Sequence, residues 1–458
     1  MTGTTGWAGR NGRTGRTGRS GRLWTAVLIA CLVAGSRPAA QALTHRGFVE
    51  GTAFLFPQTA PNDSTRAVGD FLAREEVFVK PATWIQFAGG IDLRANSHDQ
   101  VDGRWRLDLD DRGVRRPRLS LRRATATLTH GPLTIDAGKQ FVRWGKADII
   151  NPTDRFAPRD FINVVDTEFL AVTGVRAVAL HGAETFELVW VPRLTPSRIP
   201  LLDQRWTAVP AEAASVPLVD AGSALPAGAS TGLRWGHAGA GFEYSLSFFN
   251  GFNYLPNVRP VGQVGQVGQV GLAGQVGQVG QEVQPVGLAR IYPAIRTYGA
   301  DAAVPTRWFT IKGEAAYFTS RQIDGPSSVG AEGATADDYV LYVVQLERQT
   351  GEWVIVGGYA GEAITARRST LSFAPDRGMT RSIVGRASYT IDPVRTLAFE
   401  TAVRQNGDGV YGKVEYSQAR GQHWRTTVTV VGIGGHSDDF LGQYRRNSHV
   451  ALVLRYSF

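Results

Sequence analysis

Positions 138–166, reading GKQFVRWGKADIINPTDRFAPRDFINVVD, form the most distinctive stretch without strand-like alternation. Arg143, Lys146, Arg155 and Arg159 are interleaved with Asp148, Asp154, Asp160 and Asp166, while Trp144, Pro152 and Pro158 stiffen the backbone. Opposed charges brought into a narrow aqueous passage set up a transverse field and sort solutes by charge and size. The candidate constriction set is therefore Arg143, Lys146, Asp148, Asp154, Arg155, Arg159 and Asp160. The same Arg/Asp pairs would also serve to pin the stretch to a wall, and the two readings are compatible. Replacing both Arg143 and Arg155 by alanine is expected to shift ion selectivity towards cations, and unchanged selectivity would assign the two arginines to pinning.

Hydrolytic chemistry needs a nucleophile, a base and an orienting acid brought together. His130, His181 and His237 fall in short turns, outside the charged stretch. His436 with Asp438 and Asp439 is the best remaining cluster, and a solvated loop accounts for it better than a metal or catalytic site does. No phosphate-binding loop is present, and Gly432-Ile433-Gly434-Gly435 lacks the helix that a dinucleotide fingerprint requires. No catalytic residue, metal ligand or cofactor is expected.

The elements that position these residues read as strands. Segments of roughly 9–14 residues alternate apolar and polar side chains between turn residues, about eighteen in all. Sixteen result if 48–56 or 232–236 is left out. Their connections alternate short (80–83, 130–132, 181–183, 237–240, 303–306, 350–352, 392–393, 419–422) and mostly long (57–69, 96–116, 143–169, 194–230, 253–289, 320–336, 366–380, 435–447). That rhythm predicts an all-β transmembrane antiparallel up-and-down barrel with tight periplasmic turns and long outer loops. Residues 143–169 form the third long loop, the candidate to fold into the lumen. Phe309, Ile311, Gly313, Ala315 and Tyr317 share one face of their strand and Lys312 and Glu314 the other. Glu400 and Arg404 likewise oppose Leu397, Phe399 and Val403, and Lys413 and Glu415 oppose Val410 and Val414. These six charged residues are lumen-wall candidates. Alternation alone also fits a soluble sandwich. Aromatics near strand ends, such as Trp353 with Tyr359 and Phe248 with Phe249, suit interface girdles.

Composition and the N-terminus weigh for the barrel. Charged residues are 19% of the 458, glycine reaches 54 and aromatics 10%, a charge content below that of ordinary soluble domains. Arg10, Arg13, Arg16, Arg19 and Arg22 precede an apolar run at 23–35, and Ala40-Gln41-Ala42 offers a cleavage site, so residues 1–42 read as an export signal and 43–458 as the mature barrel. Cys31 after Leu28-Ile29-Ala30 offers a lipoprotein box as the alternative. Cleavage near Ala42 removes the only cysteine, and with it disulfides and thiol-bound metal. Six of the 49 cations and none of the 40 acids lie in the leader, so the formal charge falls from +9 to +3. Nucleic-acid binding is not indicated. No other run of about 20 apolar residues exists, which leaves strands as the means of crossing a bilayer.

The last strand, 449–458, puts Val450, Leu452, Leu454, Tyr456 and Phe458 on one face. An alternating strand ending on an aromatic resembles the closing strand of bacterial outer-membrane barrels, in which Tyr456 and Phe458 would be read by the barrel-assembly machinery. Gly138, Gln140, Arg143, Trp144 and Gly145, followed by Asn151-Pro152 and Asp154, are similar to the signature of porin-like outer-membrane proteins related to the alginate-export type. The resemblance implies an outer-membrane channel for passage or export of small polar solutes, saccharides among them, with the lipid bilayer as partner. The Val-Gly-Gln repeat at 261–287, within the outer loop 253–289, reads as an exposed loop grown by tandem repetition. A surface or adhesive barrel without transport and a barrel hydrolase are the other function classes.

Overall fold

The computed structural model describes residues 42–208, 217–261, 286–320, 337–367 and 374–458. The leader with Cys31 and nearly all of the Val-Gly-Gln repeat lie outside the described residues. Eighteen antiparallel strands form the wall of one closed barrel. Both segments on which the count depended belong to it, as Ala42–Leu55 and Ser230–Gly239. The final strand, His449–Ser457, pairs with the first from Phe48 opposite Ser457 to Leu55 opposite Val450. Gly47 and Phe458 exchange both backbone hydrogen bonds at 3.0 Å. Closure gives every wall strand a hydrogen-bonded neighbour on both sides, the condition for crossing lipid by sheet.

Strand alternation separates the two faces. On the closing strand Val450, Leu452 and Leu454 are exposed while Ala451 is buried. Ile311, Leu397, Phe399, Val403, Val410 and Val414 also face outward and are exposed, with Glu314 buried on the inner side. Each large aliphatic left in water would forgo roughly 1.5–3 kcal/mol; the outer belt is therefore a lipid face. Among the described residues no helix is long and apolar enough to cross a membrane. Aromatic pairs sit at the short-turn rim, Trp424 with Tyr456 at 5.0 Å, Trp353 with Tyr389 at 4.7 Å and Trp235 with Tyr244 at 5.5 Å. The Phe248/Phe249 girdle reading needs correction, since consecutive residues point to opposite faces. Phe248 meets Tyr298 at 5.3 Å on the outside, whereas Phe249 is buried and stacks edge-on against Phe156 at 5.1 Å.

Short turns join the strands at one rim and longer loops at the other, apart from residues 405–408, an outer link as short as a turn. Loop segments add a small sheet of Leu218–Ala224, Val286–Ile291 and Asn257–Val261. Gly138 marks where the wall gives way to the third loop. It lies in the strand Leu133–Gln140 with φ of 119°, and a methyl on its Cα would overlap the Ala124 carbonyl oxygen. Gly138→Ala is thus expected to cost several kcal/mol and to remove most of the heat-modifiable folded band on a gel; a wild-type yield would show that the backbone can shift there.

Candidate functional site

Residues 141–171 leave the wall after Gln140 and pack inside the barrel. Val142, Trp144, Ile150 and Phe156 form a buried cluster with wall residues Val172, Val189, Phe249, Ile295, Phe318 and Leu341. Trp144, 2% exposed, donates its ring N–H to Glu187 Oε1 at 2.8 Å and its backbone N–H to Asp154 Oδ1 at 3.0 Å. A single wall carboxylate does most of the anchoring. Glu314 accepts the backbone N–H groups of Lys146 (3.0 Å), Ala147 (3.1 Å) and Thr153 (2.8 Å) and the Thr153 hydroxyl (2.9 Å). Gly145, with φ of 87°, keeps the chain close enough for this contact, its Cα facing the Glu314 carboxylate.

The constriction candidates fall into two groups. Asp154, Arg155 and Asp160 are buried, so they hold the loop and do not line water. Arg155 stacks on Phe318 at 4.8 Å and Tyr254 at 5.2 Å; Asp160 is gripped by Arg116 at 2.9 Å and Arg198 at 3.2 Å. This corrects the pairing of Arg155 with Arg143 as selectivity residues. Arg143 and Asp148 keep side-chain exposures of 51% and 39% and face the lumen water. Arg143 and Arg159 both stack on Phe169, at 4.0 and 4.2 Å. Lys146 reaches Glu243 at 2.7 Å, and Asp148 pairs with Lys312 at 2.9 Å.

Of the wall candidates, buried Glu314 is an anchor rather than a lining group, for the reason just given. Arg404 pairs with Asp439 at 3.1 Å and donates to the Gly378 carbonyl at 2.6 Å, tying loops. Lys312 pairs with Glu347 at 2.7 Å as well as with Asp148. Glu400, facing Arg386 at 3.5 Å, and the Lys413–Glu415 pair at 3.4 Å retain water access. Tyr456 and Phe458 stack 6.3 Å apart at the seam. In the His436 cluster, Asp439 serves Arg404 and caps the backbone N–H of Leu441 at 2.9 Å.

A second charged surface faces the lumen from the first four strands and the last. Arg46 lies opposite Glu76 in register and Arg74 opposite Asp92, and Arg455 lies opposite Glu50. Arg122 and Arg123 stand together at a bulge: Gly90 pairs with Arg123 and Ile91 with Leu121, and both arginines come within reach of Glu76. Arg74, Arg94 and Arg122 converge on Glu168 of the third loop, and Arg74 also makes a bidentate pair with Asp92 at 2.7 and 2.8 Å. Burial alone would raise the Glu168 pKa, but the three guanidiniums hold it far below the usual carboxylate range. Phenylalanine faces back several of these cations: Phe48 lies under Arg455 at 4.2 Å, Phe78 under Arg46 at 5.2 Å and Phe141 under Arg122 at 4.9 Å. The exposed partner is the cation. Arg46 is 69% exposed against 9% for Glu76, and Arg455 41% against 17% for Glu50. Charges on one strand face in Arg46/Glu50, Arg74/Glu76 and Asp92/Arg94, with the Arg122-Arg123 doublet beside them, were the available sequence signal.

Burial raises the Asp154 pKa to about 6, overriding the Trp144 N–H and the arginines nearby, and its Oδ2 has no hydrogen-bond partner. An aspartate raised above its unfolded value binds the proton more tightly when folded. The loop's stability therefore falls as pH rises from about 4 to 6 and is flat above that. The two-unit shift corresponds to about 3 kcal/mol. Loop-closure noise in single-channel records is expected to increase between pH 4 and 7 and to lose that dependence in Asp154→Asn; an unaltered pH profile in the variant would assign it elsewhere.

No protein-family profile and no curated protein matches the sequence. Among solved structures, Acinetobacter baumannii OccAB4 is similar over 92% of this chain and all of its own, at 10% identity and a TM-score of 0.50. Pseudomonas aeruginosa OccK9 (OpdG) is similar over 91% of this chain and 98% of its own, at 11% identity and a TM-score of 0.50. The chain has the fold of an outer-membrane porin. Closed wall, apolar belt and fold together place it in the outer membrane. At such identities the porin likeness extends to the fold alone, and which solute passes has to be argued from this chain's own lumen.

Proposed function

We propose that this porin-fold barrel is a passive channel for small polar solutes with a preference for anions. The observation that carries the reading is the asymmetry of the arginine strip, where Arg46 and Arg455 face water while their carboxylate partners are shielded. A carboxylate-bearing solute would move from one guanidinium to the next, each offering the planar fork that suits carboxylates. Acidic sugars fall within that class; neutral saccharides gain nothing from it. The third loop narrows the path, with Arg143 and Asp148 as its water-facing charges and Arg159 beside them on Phe169. Tyr456 and Phe458 would serve assembly, not passage.

The test is a reversal potential across a planar bilayer holding the purified barrel under a KCl gradient, with liposome swelling in glucuronate and glucose. Chloride preference and faster glucuronate entry are expected. A well-ordered barrel giving no conductance would sink the channel reading, and cation preference would sink the anion assignment.

A further inference from the structure

The second outer loop, residues 97–118, carries an exposed surface apart from the arginine strip. The strand Leu119–His130 pairs with Leu133–Gln140 only from Ala124 onward, because the chain turns inward after Gln140. Beside its upper end lies the loop segment Leu107–Asp108, parallel to Leu119 and Ser120. Lys139 fastens this patch, donating to the Leu109 carbonyl at 3.0 Å and to Asp111 at 2.6 Å, and Arg198 takes the other Asp111 oxygen at 2.8 Å. The loop thus completes the wall where a strand has left it.

Register partners share a face of a sheet. Leu107 is opposite Leu119, Leu119 is opposite Leu93, and Leu93 is on the same face as Ile91, which is exposed on the lipid side. Leu107 therefore prolongs the lipid face. The rise from Ile85, near the short turns, to Leu93 is about 26 Å along the strand, or about 20 Å across the membrane at the usual tilt. This depth is the upper margin of an apolar belt about 25 Å tall. At that margin Trp105 is 73% exposed, Leu107 43% and Leu109 53%. Arg104 and Arg106 are exposed on either side of Trp105, and the Arg118 guanidinium lies 4.9 Å over its ring. Asp102 and Asp108 turn towards the loop's own N–H groups, at Arg104 and at Asp110 and Asp111, which leaves Asp99 and Asp110 as the exposed acids of the loop.

We propose that this loop is a docking site for the phosphate-bearing lipid of the outer leaflet. Guanidiniums of Arg104 and Arg106 meet the headgroup phosphates, and Trp105, Leu107 and Leu109 lie against the upper acyl chains. Continuity with the lipid belt and the cations at headgroup depth favour a lipid over a protein partner.

The purified full-length barrel in neutral detergent is titrated with fluorescent bisphosphorylated lipopolysaccharide and with the same glycolipid after phosphate removal. Wild type is expected to bind the first saturably and the second at least about tenfold more weakly, since the charge-assisted contacts are lost. Arg104→Ser with Arg106→Ser, and separately Trp105→Ala with Leu107→Ser, are expected to weaken binding about tenfold while keeping heat-modifiability and unitary conductance. No saturable binding by wild type, equal affinity for both glycolipids, or variants binding like wild type would overturn the proposal. So would a wild-type dimer that Trp105→Ala dissolves with lipid binding unchanged, which would assign the patch to a second copy. Since conductance is read separately, failure here leaves the channel assignment standing or falling on its own test.

Discussion

Glu314→Ala is expected to release the third loop from the wall and enlarge single-channel conductance by about twofold or more, with frequent transitions between levels. Three backbone N–H groups and one hydroxyl converge on that carboxylate, and alanine leaves these donors without their acceptor in a buried site. Each orphaned donor costs about 1–3 kcal/mol, so the seated loop loses several kcal/mol, against about 1.4 kcal/mol for each tenfold change in population. The apolar cluster around Trp144 and Phe156 keeps the loop inside on average, which is why fluctuation rather than permanent opening is the expected signature. Glu314→Gln retains one carbonyl oxygen and should fall between wild type and alanine. Wild-type conductance and noise in the alanine variant would mean that packing alone seats the loop.

The architecture was legible because its physical signal is local. Alternation assigned the outward faces of Val450, Leu452 and Leu454 and of Leu397 and Phe399, and turn chemistry marked the short connections. The strand count of eighteen includes 48–56 and 232–236, whose alternation matches that of the other wall strands. What the sequence hid is whatever depends on contacts between distant segments. Glu314 has the strand parity of a lining residue, and its role as an anchor comes from backbone groups more than 160 positions away. Arg155 has the charge of a selectivity residue, yet Phe318 and Tyr254 take its face. The arginine strip is a third case: its members were visible one strand at a time, but only barrel closure sets Arg455 beside Glu50. The exceptional short link at 405–408 and the inward Phe249 belong to the same class, decided by what the rest of the fold places next to them.

Replacing Arg46 and Arg455 together by serine is expected to move the channel towards cations, lowering the chloride-to-potassium permeability ratio at least about threefold at low salt. At about 6 Å from a permeating ion, one unit charge is worth about 0.7 kcal/mol in water and about 2.8 kcal/mol at an effective dielectric of 20. Two such charges near one mouth thus have energy to spare for that change, even after screening over a Debye length of about 10 Å in 0.1 M salt. Their partners add to the effect. Glu76 keeps Arg122 and Arg123 only at 3.9 Å, and Glu50 loses its bond to Arg455 at 2.6 Å, so each carboxylate gains influence over the lumen as its cation goes. The substitution therefore removes positive potential and unmasks negative potential in the same step. Arg46→Lys with Arg455→Lys preserves charge but not the planar fork, so ion selectivity should hold while glucuronate entry slows. A serine variant that stays chloride-selective would shift the assignment to exposed Arg143 and half-buried Arg159 on Phe169, the next cations along the path.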